Sequence, residues 1–135
     1  AESLSGTCLC GEIKFSGKTE IKRIANCHCL DCQKITGATF ATIIFVNAEE
    51  ISIVGSAAVY KHISDSGSQL EKHFCRNCGS QMFSFNSSRA GLIGLRAGNL
   101  NEKELIEPQV NVYLERKTPS TLINSSLPSY NKMPE

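Results

Sequence analysis

Seven cysteines in three tight clusters constrain this chain more than any other feature: Cys8-Leu9-Cys10, Cys27-His28-Cys29-Leu30-Asp31-Cys32 and Cys75-Arg76-Asn77-Cys78-Gly79. An odd number of cysteines, clustered rather than spread, does not make a disulfide framework and points to metal. In C-x-x-C, as at Cys29/Cys32 and Cys75/Cys78, a tight turn brings both sulfurs to one cation at about 2.3 Å each, with turn amides donating to the thiolates. Gly79 suits such a turn. In C-x-C on an extended segment both side chains project from one face, so Cys8/Cys10 and Cys27/Cys29 can each pinch one metal after modest bending. Soft thiolates without an accompanying carboxylate pattern select zinc before magnesium or calcium. Seven thiols divide as four plus three. The middle cluster could form a tripod, leaving Cys8, Cys10, Cys75 and Cys78 as a closed site, although a set of Cys8/Cys10 with Cys29/Cys32 is also geometrically conceivable. A closed site stabilises, whereas three protein ligands leave one position for water or substrate.

The rest of the chain reads as mainly β. A length of 135 residues suits one domain, here taken as residues 1–135, and 41% hydrophobic residues can supply its core. Short apolar or alternating segments at 12–15, 21–26, 39–46, 51–54, 58–63, 70–74, 81–85, 92–97 and 110–114 predict strands in several small antiparallel sheets. Short helical turns are expected at 30–35, stopped by Gly37, and near 101–105 with Asn101 as N-cap. Pro119, Pro128 and Pro134 make residues 118–135 an irregular surface tail. A formal charge of +1 disfavours a broad polyanion-binding surface, so nucleic acid is not the expected partner. No apolar run approaches the roughly 20 residues of a membrane span, the longest being 40–46. The start, Ala1-Glu2-Ser3-Leu4-Ser5, lacks a basic and apolar leader, which makes the cytoplasm the expected location.

Gly6-Thr7-Cys8-Leu9-Cys10-Gly11, Cys27-His28-Cys29-x-x-Cys32-Gln33-Lys34-x-x-Gly37-Ala38 and Phe74-Cys75-x-x-Cys78-Gly79 together resemble the glutathione-dependent formaldehyde-activating family. The resemblance runs on through Ala97-Gly98-Asn99-Leu100-Asn101 and Leu127-Pro128-Ser129-Tyr130. It implies a β-tent fold of small coiled sheets holding two zinc ions per chain. It also implies that Cys8, Cys10, Cys75 and Cys78 hold a structural zinc, and Cys27, Cys29 and Cys32 a catalytic one. The implied activity is a carbon–sulfur lyase reaction, run reversibly, in which glutathione adds to formaldehyde to give S-(hydroxymethyl)glutathione. Family members often carry a His where this chain has Asn111, and a Trp after the proline that here precedes Ser120; this chain has no Trp. Those positions are candidates for shaping the pocket, so the departures bear on the substrate rather than on the metal.

The chemistry agrees with that implication. A zinc ion with three thiolates carries a formal charge of about −1, which makes its water less acidic than water on a zinc with three neutral imidazoles. The open position therefore suits a soft thiol, and a thiolate held beside an aldehyde can add to its carbonyl carbon. The competing readings are a zinc-stabilised binding module without turnover, and redox exchange at a C-x-x-C pair, the latter opposed by the lack of a βαβ pattern. Among other polar residues, His28 points away from the face shared by Cys27 and Cys29, and His73 reads as an exposed strand position. Lys34, Arg76 and Arg96 are candidates for glutathione's carboxylates but read as solvated charges. Asp31 reads as a turn residue, and Phe40, Phe45, Phe83 and Phe85 as strand core.

Overall fold

A computed structural model describes residues 1–64 and 66–134. The expected tail is thus described as far as Pro134. Ten strands form two sheets. β1 (Glu2–Thr7), β2 (Lys14–Thr19) and β5 (Ile51–Val54) make a three-stranded antiparallel sheet in the order β1-β2-β5. The second sheet joins β3 (Arg23–Cys27), β4 (Ala41–Asn47), β6 (Ala58–Ile63), β7 (Gln69–Phe74), β8 (Gln81–Asn86), β9 (Leu92–Arg96) and β10 (Val110–Val112). Its order is β10-β3-β4-β9-β8-β7-β6, antiparallel except where β10 lies parallel to β3. The mainly-β architecture is as expected, while one of its sheets is larger than foreseen and mixed.

β4 shows why. Its sequence Ala-Thr-Ile-Ile-Phe-Val-Asn is apolar at almost every position because both faces are covered. Ile44 and Val46 point into a core shared with Leu4, Ile13, Phe15, Met82, Ile93, Leu95 and Leu100. Ala41 and Ile43 point the other way, into a smaller cluster of Ala25, Cys27, Cys32, Val110 and Val112. The seven-stranded sheet therefore has one side that packs against the larger core and another on which Cys27, Cys32 and buried cations gather.

The single α-helix among the described residues, α1 (Leu30–Thr36), begins where expected and is stopped by Gly37, whose amide donates to the Gln33 carbonyl at 2.8 Å. Near residue 101 there is only a 3-10 turn at Lys103–Leu105. Asn101 does not cap it; its Nδ2 donates to Ser5 Oγ instead. β1 was not foreseen, because Ser3, Ser5 and Gly6 lack strand propensity. Its place is set by pairing with β2 and by Glu102, whose carboxylate accepts from Ser5 N at 2.7 Å and from Ser5 Oγ at 2.5 Å. β10 is shorter than predicted, ending at Val112 before Tyr113 turns to φ 58°. No helix among the described residues is long and apolar enough to cross a membrane.

Candidate metal centre

The two C-x-x-C turns and the two C-x-C segments converge as two separate groups. Cys8, Cys10, Cys75 and Cys78 place all four sulfurs within 4.8 Å of one another, and Cys27, Cys29 and Cys32 do the same as a trio. The pairing of Cys8/Cys10 with Cys29/Cys32 does not occur. Neighbouring sulfurs lie 3.6 Å apart for Cys8 and Cys10, 3.7 Å for Cys10 and Cys75, and 3.4 Å for Cys27 and Cys29. Sulfurs at tetrahedral corners about 2.3 Å from one ion sit about 3.8 Å apart, so the donor sets fit zinc.

Backbone geometry builds the four-thiol site as two facing knuckles. The turn after β1 closes with Gly11 N on Cys8 O, and the turn after β7 with Gly79 N on Cys75 O; Gly11 and Gly79 have φ of 85° and 79°, where a side chain is strained. A bulge at His73/Phe74 bends β7 into the second knuckle. Amides aim at the sulfurs, Ile13 N on Cys8 Sγ at 3.3 Å and Cys78 N on Cys75 Sγ at 3.5 Å. Ser80, unremarked in the sequence, links the knuckles: its Oγ accepts from Leu9 N at 3.1 Å and lies 3.2 Å from Cys78 Sγ. The hydrogen bond with Ser80 is the main cause that holds the Cys78 thiol down to about 5.

In the trio, Cys27 ends β3, and Cys29 is both a sulfur donor and the N-cap of α1, its Sγ accepting from Cys32 N at 3.3 Å. Cys27 and Cys32 are buried and Cys29 half-buried. Hydrogen bonds from Cys27 and Cys29, followed by the charges of Arg96 and Lys72, hold the Cys32 thiol down to about 2. The Cys27 thiol is pushed up by its bonds to Cys29 and Cys32 and by burial. The two cations thus stand on the Cys32 side of the trio.

Those cations correct two readings. Arg96 is not a solvated charge but only 6% exposed, with Nη1 4.0 Å from Cys32 Sγ. Lys72, also 6% exposed, was missed altogether. Burial and the neighbouring Arg96 charge lower its pKa. A signal existed: Lys72 lies in phase with Leu70 and Phe74 along an alternating strand, so its side chain shares their face. Among the described residues neither cation has a carboxylate within ion-pair distance. Arg89 adds a third positive charge on this side of the sheet, 5.2 Å over the Phe45 ring.

The remaining candidates lie outside the sulfur groups. His28 is 1% exposed, stacked on Phe40 at 5.0 Å, and its ring nitrogens have no hydrogen-bond partner among the described residues. Burial, followed by the charge of Lys117, lowers its pKa. His73 is half-buried between Phe83 and Phe85, with Nε2 3.0 Å from Glu71. Asp31 faces His62 at 4.0 Å, while Lys34 and Arg76 are exposed. Asn111 is fully buried, and its Nδ2 donates to Asn124 O and Ser129 Oγ, fastening the tail. Ser120 sits in an exposed turn. A cleft of about 560 Å³ is lined among others by Thr36, Thr42, Ser80, Gln81, Arg96 and Lys103; no cysteine lines it, but its wall includes Arg96 and Ser80, which contact Cys32 and Cys78.

Comparison with known proteins places this geometry in context. The sequence model of the glutathione-dependent formaldehyde-activating enzyme family matches residues 3–116. A protein of Aspergillus terreus named "putative glutathione-dependent formaldehyde-activating enzyme" is 30% identical over 78 residues, which is 56% of this chain; the chain spans 40% of that relative's length. A crystal structure of a Rhodobacter sphaeroides protein superposes with a TM-score of 0.58 at 20% identity, covering 77% of this chain and 96% of the other, a likeness of fold.

Proposed function

The chain belongs to the glutathione-dependent formaldehyde-activating enzyme family, and from that premise we propose that it catalyses the reversible addition of the glutathione thiol to formaldehyde, a carbon–sulfur lyase reaction. The observation that carries the reading is the pair of buried cations, Lys72 and Arg96, beside three thiols and without carboxylate partners among the described residues. Buried charges are retained where something pairs with them. A thiolate beside Arg96 and an anionic peptide beside Lys72 would supply that pairing.

In this reading Cys8, Cys10, Cys75 and Cys78 would hold a structural zinc, and Cys27, Cys29 and Cys32 a second zinc with one position open. Zinc there supplies a Lewis-acid position that favours the thiolate form of an incoming thiol. The protein does the rest by placement. The trio and the cleft hold sulfur and aldehyde together, which lowers the entropic part of the barrier. Ile35, Ala41 and Ile106 supply the apolar part of the cleft wall, and Lys103, also in its lining, can meet a substrate carboxylate.

The test is exchange spectroscopy by NMR on glutathione and formaldehyde at equilibrium. Zinc-loaded protein is expected to speed exchange between free and hydroxymethylated glutathione. Protein with Cys27, Cys29 and Cys32 all replaced by Ser, still holding one zinc, is expected not to. Equal acceleration by the two proteins would sink the reading.

A further inference from the structure

A carbon–sulfur addition of this kind leaves negative charge on the former carbonyl oxygen, and the reading above names no group to receive it. Arg96, at the end of β9, is placed to do so. It is 94% buried, since only 6% of it is exposed, and it lines the cleft. Nη1 stands 4.0 Å from Cys32 Sγ, while Nη2 is buried with no hydrogen-bond partner among the described residues. A buried donor without an acceptor is costly, and costlier still when charged. Its rigid fork can touch sulfur with one nitrogen and leave the other for an incoming oxygen.

Which oxygen follows from distance. Both carboxylates of glutathione lie many bonds from its sulfur, at the two ends of the tripeptide. The oxygen of an aldehyde attacked by that sulfur lies only two bonds away. A donor already in contact with a sulfur of the trio is therefore too near the reacting centre for the carboxylates and well placed for the aldehyde oxygen.

We propose that Arg96 is a catalytic residue whose Nη2 donates to the oxyanion formed in thiol–aldehyde addition. The thiolate lone pair forms the C–S bond as the carbonyl π bond breaks, and the electron pair moves onto oxygen, where Arg96 stabilises it. The proton lost when the thiol ionised returns to that oxygen from solvent in the cleft. The reverse reaction removes the hydroxyl proton, and the same donor holds the oxygen as the C–S bond breaks. This assignment rests on the proposed function, but not for its whole test.

The test uses full-length zinc-loaded protein and the variants Arg96→Met, Arg96→Ala and Arg96→Lys. Calorimetric titration with formate, a one-carbon oxyanion that fits where formaldehyde would, is expected to show about tenfold weaker binding to Arg96→Met. Zinc per chain and glutathione affinity are expected to stay near wild type. In turnover, loss of such a donor lowers kcat by about a hundredfold or more with little change in KM for glutathione. Added guanidinium is expected to restore part of the rate of Arg96→Ala, and Arg96→Lys to fall between. Unchanged formate affinity overturns the assignment. So does a loss of zinc, which would make Arg96 a prop for Cys32, or a loss confined to glutathione affinity, which would make it a carboxylate clamp. Wild-type protein that binds formate through Arg96 yet shows no turnover would refute the proposed function while leaving the donor in place.

Discussion

At the scale of single residues, the site sets two requirements against each other. Lys72 and Arg96 repel one another inside the protein, and burial already lowers the Lys72 pKa. Replacing Lys72 by Met keeps most of the volume and removes a desolvated charge. The metal-free variant is expected to be more stable than wild type by about 1 kcal/mol or more in urea melts. The zinc-loaded variant is expected to bind glutathione about tenfold more weakly by calorimetry. Loss of stability together with unchanged affinity would show that Lys72 serves packing alone. The residues also mark what sequence could reveal. Cysteine spacing limited the possible sulfur groups, because C-x-x-C and C-x-C are local geometry. It left open which clusters meet, since that depends on strand pairing between Cys8 and Cys75. Arg96 looked like any charge flanking a strand; its burial and its approach to Cys32, 64 residues away in the chain, are tertiary and no local pattern encodes them.

At the scale of elements, each sulfur group depends on how a strand ends. Gly79 closes the turn after β7 at a φ of 79°. Gly79→Ala is expected to cost about 1–2 kcal/mol in chemical unfolding of the zinc-loaded protein and to release zinc faster to a chelator. A change below experimental error would show that the turn is not held in that conformation. β1 is the least visible strand in the sequence, and Glu102 helps hold it through Ser5. Although partial burial acts to raise it, the two bonds from Ser5 hold the Glu102 carboxyl below its usual range. A folded pKa lower than the unfolded one means that its contribution is full above the unfolded value and is lost as pH falls through the folded one. Glu102→Gln is therefore expected to destabilise at neutral pH, with the gap to wild type closing as pH falls through that acidic window. A gap independent of pH would contradict this. The strands around β4 were legible from apolar runs. The parallel pairing of β10 was not, because the alternation of Val110, Asn111 and Val112 marks a strand without naming its partner or direction.

At the scale of the whole molecule, the seven-stranded sheet divides a hydrophobic core from a chemical face. The four-thiol group ties the turn after β1 to the turn after β7, joining the two sheets, while the trio lies beside the smaller apolar cluster. If the first group holds the fold and the second serves substrate, their losses should differ. Cys75→Ser is expected to lower the melting temperature by more than 10 °C, in line with a structural zinc adding several kcal/mol to folding, and Cys29→Ser by much less. Similar shifts for both would argue against the division of labour. The central claim, two ions of which one is open to thiol, is tested most directly by cobalt(II) replacement. Metal-free protein reconstituted under reducing conditions should take up two cobalt ions per chain. On titration with glutathione, the ligand-field bands of one ion should shift towards those of a four-thiolate centre, with the other ion unchanged. Uptake of a single ion, or two ions whose bands ignore glutathione, would contradict the account.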